Sequence, residues 1–87
     1  MRIRIRLFAN FREVTGKKDL ALDVNGDTVM DALSSLIASY PGLGPLMLND
    51  GSLKQYVNVL LNGKSVQPDD MIHDNDELAI FPPVSGG

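Results

Sequence analysis

Few residues of this chain can do chemistry. Among 87 residues there is no cysteine and one histidine, which excludes a thiolate zinc site, an iron–sulfur cluster, a disulfide framework and a cysteine nucleophile. His73, Asp74, Asp76 and Glu77 gather polar groups, yet their spacing matches no zinc or calcium loop and reads as a polar turn with a solvated histidine. Ser34, Ser35, Ser39, Ser52, Ser65 and Ser85 find no triad around that one histidine. Glu13 and Lys17, four apart, read as an ordinary helical-turn pair. What remains is the segment Phe81-Pro82-Pro83-Val84-Ser85-Gly86-Gly87. Its two glycines remove every Cβ beside the Gly87 carboxylate, so a nucleophile and an activating group can approach in a channel too narrow for other residues. Pro82-Pro83 stiffens the exit toward polyproline II, and six residues at ~3.3 Å each reach about 20 Å from the body.

The elements that would carry this tail follow from periodicity. Arg2 to Ala9 alternates, with Ile3, Ile5 and Leu7 on one face and three arginines on the other, the signature of a half-buried strand. A second strand runs from Asp19 to Val24, joined to the first through a wide, partly helical loop that carries Phe11 and Val14. Thr28 and Asp31 open a helix in which Val29, Leu33, Leu36, Ile37 and Tyr40 form one apolar stripe, and Pro41-Gly42 ends it. Leu43 to Ser52 reads as irregular with one helical turn. Tyr56 to Leu61 is a strand, Asn62-Gly63 a tight turn, Ser65-Val66 a short return, and Glu77 to Phe81 the last strand. The expected fold is α+β: a β-grasp, ubiquitin-like domain over residues 1–81, with a mixed sheet of four to five strands, one main helix on one face, and an extended tail over residues 82–87.

Three strands break their own pattern. Phe8 follows Arg2, Arg4 and Arg6 where a polar residue is due, Leu60 is apolar between outward Asn58 and Asn62, and Phe81 faces away from inward Leu78 and Ile80. Three exposed large apolar residues on strands of one sheet predict a contact patch. The arginine stripe serves solubility or forms a rim that steers an acidic partner. A net charge of −3 argues against nucleic-acid binding. No apolar run approaches the ~18 residues of a membrane span, and Met1 leads directly into a strand, so a cytoplasmic location without membrane contact is expected.

Leu7-Phe8-Ala9 with Arg12-Glu13 and Gly16, the helix opening at Thr28-Val29, Val57-Asn58, Asn62-Gly63, and Asp74-Asn75-Asp76-Glu77-Leu78 running into Phe81-Pro82-Pro83-Val84-Ser85-Gly86-Gly87 resemble the MoaD family. That family comprises the small, sulfur-carrying subunit of molybdopterin synthase, with small archaeal modifier proteins and the thiamine sulfur carrier as relatives. The length favours the molybdopterin subunit over the shorter thiamine carrier. Asn75 stands where the family's loop usually has Gly, a substitution that tolerates positive φ. The resemblance implies that a ubiquitin-activating-like adenylyltransferase uses ATP to activate Gly87, that persulfide sulfur converts it to a thiocarboxylate, and that the large synthase subunit uses that sulfur on a pterin precursor. In modifier relatives the activated Gly87 acylates a lysine of a target protein instead. Both routes imply Gly86 and Gly87 as the reacting end and Phe8, Leu60, Phe81, Pro82, Pro83, Val84 and Ser85 as partner contacts. Neither needs a cofactor, a metal or a catalytic side chain in this chain. A non-covalent β-grasp interaction module is the third expectation.

Overall fold

The computed structural model describes residues 1–82. Strand β1 (Arg2–Leu7) buries Ile3, Ile5 and Leu7 and exposes its arginines, as period-2 alternation requires. Helix α1 (Asn10–Thr15) occupies the loop to β2 (Asp19–Asp23) and ends at Gly16, whose φ of 72° supplies the left-handed cap. Lys17 therefore lies beyond that helix, and Phe11, not Val14, is the residue this loop buries.

Helix α2 (Val29–Ser39) starts in a full capping box: the Thr28 hydroxyl accepts from the Asp31 N–H at 3.1 Å, while the Asp31 carboxylate accepts from the Asp27 and Thr28 N–H groups at 3.0 and 3.1 Å. Those backbone bonds, Asp27 foremost, with the Thr28 hydroxyl contributing, hold the Asp31 carboxyl below its ordinary pKa. Val29, Ala32, Leu33 and Leu36 line the buried stripe. Each large side chain so buried contributes about 1.5–3 kcal/mol.

The middle of the chain holds more structure than its sequence signals suggest. A 3-10 turn at Pro41–Leu43 runs into α3 (Gly44–Met47), then a hairpin of β3 (Leu48–Asn49) and β4 (Ser52–Leu53) turns through Asp50-Gly51. Leu43 and Met47 are fully buried, so this segment is part of the core. β5 is Asn58–Leu61, not Tyr56 to Leu61: the Val57 N–H donates to the Lys54 carbonyl at 3.1 Å, turning the chain just before the strand and leaving Tyr56 70% exposed. The Asn62-Gly63 turn, both residues at positive φ, leads to β6 (Lys64–Ser65), and β7 is Glu77–Phe81. Asn75 has φ 71°, the conformation expected for it.

The main sheet has the order β2-β1-β7-β5-β6, and β7 lies parallel to β1 and antiparallel to β5. Two hairpins thus flank a strand that comes last among the described elements. One helix covers one face of a mixed five-stranded sheet, which is the β-grasp arrangement of an α+β domain. Among the described residues no helix packs on the other face, which holds the residues that broke the alternation.

Candidate functional site

The uncovered face is built by register. Leu7 pairs with Ile80, which sets Phe8 opposite Phe81 one step further along the parallel pair, and the two rings stack with centroids 4.2 Å apart and planes 11° from parallel. On the other side of β7, Leu60 pairs with Ala79 and Asn58 with Phe81. Phe8, Phe81, Ala79 and Leu60 thus form one apolar surface across three adjacent strands. The alternation predicts Phe8, Leu60 and Phe81 to be exposed. They are half-buried instead, because each ring shields its neighbour and Leu60 lies diagonal to Phe81.

Two guanidinium groups frame this surface. Those of Arg6 and Arg12 each lie 5.8 Å from the centroid of the Phe8 ring, within cation–π range. Arg6 also approaches Glu77 at 4.0 Å, and Arg2 pairs with Asp23 at 3.3 Å. Arg12 is tied by its Nε, which donates to the Leu7 carbonyl at 3.3 Å, and among the described residues no carboxylate lies within ion-pair distance of it. What returns Arg12 to Phe8 is Ala9, at φ 52° and ψ −127°, with the Phe11 N–H donating to the Phe8 carbonyl at 3.2 Å. That is a type II′ turn with Ala where Gly is preferred. Neither Ala9 nor the placement of Arg12 was evident from periodicity; the one available signal was the four-residue step from Phe8 to Arg12.

Pro82 follows Phe81 directly and is half-buried. Lacking an N–H, it can donate to neither flanking strand, so the central strand stops at the aromatic pair. Pro83, Val84, Ser85, Gly86 and Gly87 lie outside the described residues.

The polar turn before β7 is structural. Asp74 accepts from the Arg2 N–H at 2.8 Å, Asp76 accepts from the Asn62 side-chain amide at 2.9 Å and from the His73 N–H at 2.7 Å, and Asn62 in turn accepts from the Glu77 N–H at 2.9 Å. The Asn62 bond above all holds the Asp76 pKa below its ordinary value; burial opposes it second, and the His73 N–H and imidazole add lesser lowering. These bonds pin both hairpins to the start of β7. Among the described residues no group of three or more His, Cys, Asp or Glu is arranged to hold a metal ion. A cleft of about 330 Å³ opens by the sheet edge near Val57, Val59, Val66 and Pro68, and its one ionisable side chain, Lys54, is bonded to the Pro45 carbonyl. The face and the exit of β7 are therefore the candidate site.

Comparison with known proteins finds relatives over the whole length of the chain. The model of the ThiS family matches residues 5–87. The chain is 45% identical to small archaeal modifier protein 3 of Haloferax volcanii, with all of both chains covered. It is 35% identical to the molybdopterin synthase sulfur carrier subunit of Arabidopsis thaliana, over 98% of this chain and 82% of that protein. The crystal structure of SAMP1 from Haloferax volcanii superposes with a TM-score of 0.90 at 42% identity, covering both chains entirely.

Proposed function

Because the chain belongs to the ThiS family, we propose that it is a sulfur carrier for molybdopterin synthesis, working through Gly87 and using the Phe8–Phe81 face to dock on its partners. The observation that carries this reading is that the central strand ends at the stacked aromatic pair, so Pro82, the last described residue, sits at the rim of the apolar face. A partner that grips Phe8, Leu60 and Phe81 thereby holds the start of the tail and can thread Pro82 to Gly87 into its own reaction centre. The match of the family model through residue 87 supports Gly86-Gly87 as the reacting end.

The chemistry belongs to the partners. A ubiquitin-activating-like adenylyltransferase lets a Gly87 carboxylate oxygen attack the α-phosphorus of ATP, releasing pyrophosphate and forming an acyl-adenylate. The terminal sulfur of a persulfide then displaces AMP to give an acyl disulfide, and a thiol cleaves its S–S bond, leaving the thiocarboxylate and a new disulfide. The large synthase subunit directs that sulfur onto the pterin precursor. This chain contributes position and a Cβ-free end. Such a carrier works in the cytoplasm, where its ATP-dependent partner acts.

A second reading, a ubiquitin-like modifier joined through Gly87 to target lysines, is favoured by the higher identity to a small archaeal modifier protein. Intact-mass and conjugate analysis of protein from its own host separates the two. A carrier shows one terminal oxygen replaced by sulfur, and loss of its gene abolishes molybdoenzyme activity. Conjugates with neither thiocarboxylate nor cofactor phenotype would establish the modifier instead. Deleting Gly87 abolishes ATP-dependent activation in both cases; activation that persists would remove both readings.

A further inference from the structure

All four arginines of the chain, Arg2, Arg4, Arg6 and Arg12, lie on or beside the uncovered sheet face, whereas the four lysines, Lys17, Lys18, Lys54 and Lys64, lie in loops or at the sheet edge. The difference matters chemically. A guanidinium stacks on an aromatic ring and offers a rigid fork to a carboxylate, which an ammonium cannot do. Arg2 and Arg6 already face carboxylates of this chain, Asp23 and Glu77, and Arg4, unpaired among the described residues, has no aromatic ring against it. Arg12 differs from all three: Leu7 holds its Nε, Phe8 lies beneath its guanidinium, and among the described residues no acidic group closes the pair. The side chain is thus restrained before any partner arrives, which lowers the entropy cost that usually weakens an exposed ion pair.

We propose that Arg12 is a specificity-determining contact, whose guanidinium receives an Asp or Glu carboxylate from the adenylating enzyme as that enzyme covers the Phe8 and Phe81 rings. The inference rests on the carrier reading above and specifies its partner: an apolar slot for the stacked rings with an acidic side chain at its rim. Docking over the rings also removes water from the new ion pair, which strengthens it relative to an exposed one. A chain of net charge −3 would in general be repelled by an acidic surface. The arginine face orients the encounter so that the stacked rings meet the enzyme first.

The test is pyrophosphate–ATP exchange by the adenylyltransferase of the same host, measured against carrier concentration at low and high sodium chloride. Arg12→Gln should raise KM about tenfold, the effect expected of an interface arginine anchor, with kcat unchanged and a shallower rise of KM with salt. Arg12→Lys should recover little, since it restores charge without the fork. Lys64→Gln, the same charge change at the sheet edge, should leave KM within about twofold, as charges remote from an interface do. Circular dichroism and melting of each variant confirm that the fold persists. An unchanged KM for Arg12→Gln, full rescue by Arg12→Lys, or a fall confined to kcat each overturns the inference while wild-type exchange leaves the carrier reading standing. If the wild-type chain supports no exchange, the carrier reading fails first and this inference falls with it.

Discussion

The stacking that joins Phe8 and Phe81 into the proposed docking surface also removes part of each ring from water. Truncating either should weaken partner binding by about 2 kcal/mol, as central aromatic anchors do. It should also cost about 1 kcal/mol of domain stability, since a stacked pair is worth about 0.5–1.5 kcal/mol beyond its buried area. Urea melts and partner titrations of Phe8→Ala, Phe81→Ala and the double variant would show the coupling; additive stability losses would mean that the rings do not stabilise each other. Ala9 makes an opposite prediction. Its φ of 52° is costly for a residue with a Cβ, so Ala9→Gly should raise stability by about 1 kcal/mol, visible as a higher melting temperature. The aromatic pair was legible in the sequence because each ring interrupts a two-residue alternation. Ala9 and Arg12 were not, since alternation ends with the strand and an alanine conceals a turn that glycine would have announced.

At the scale of elements, the segments that obey one period were readable and those that fold by burying isolated residues were not. Helix α2 was set by its stripe and by Thr28 and Asp31. The stretch from Leu43 to Leu53 joins a 3-10 turn, a four-residue helix and a hairpin, none long enough to show a period, and it is held by Leu43 and Met47 reaching the core. Tyr56 and Val57 continue the apolar pattern of β5, but the Lys54 carbonyl captures the Val57 N–H and turns them out of the ladder. The connection into β7 has a pH dependence of defined sign. Asp76 has a folded-state pKa below the ordinary 3.8, so the unfolded chain takes up its proton first as pH falls. The stability it contributes is complete above about pH 4 and is lost as pH drops through 3.8 to the lower folded value. Asp31 adds to the loss in the same direction. Melting temperature against pH should therefore fall steeply below pH 3.8, and less steeply in Asn62→Ala, which removes the largest cause of the Asp76 shift. Equal slopes would show that the Asn62 bond does not depress it.

Over the whole molecule one small core supports everything, and a domain of this size has little reserve. Leu33 and Ile5 are both fully buried, on the helix and the sheet, so Leu33→Ala or Ile5→Ala should each cost about 2–5 kcal/mol in urea denaturation; a loss under about 1 kcal/mol would mean that the site collapses around the gap. The order of the main strands and of α2 was legible because each side of the sheet is a local hairpin, whereas the placement of β7 between them emerges only from pairing with residues far away in sequence. That placement has a mechanical side. A partner that draws on Pro82 pulls along the axis of β7, which is laddered to β1 on one side and β5 on the other. The load falls on both ladders in shear, with all their bonds sharing it at once, whereas a strand at the sheet edge pulled sideways would peel one bond at a time. A pull applied at Pro82 is therefore borne by the whole sheet before β7 can part from it.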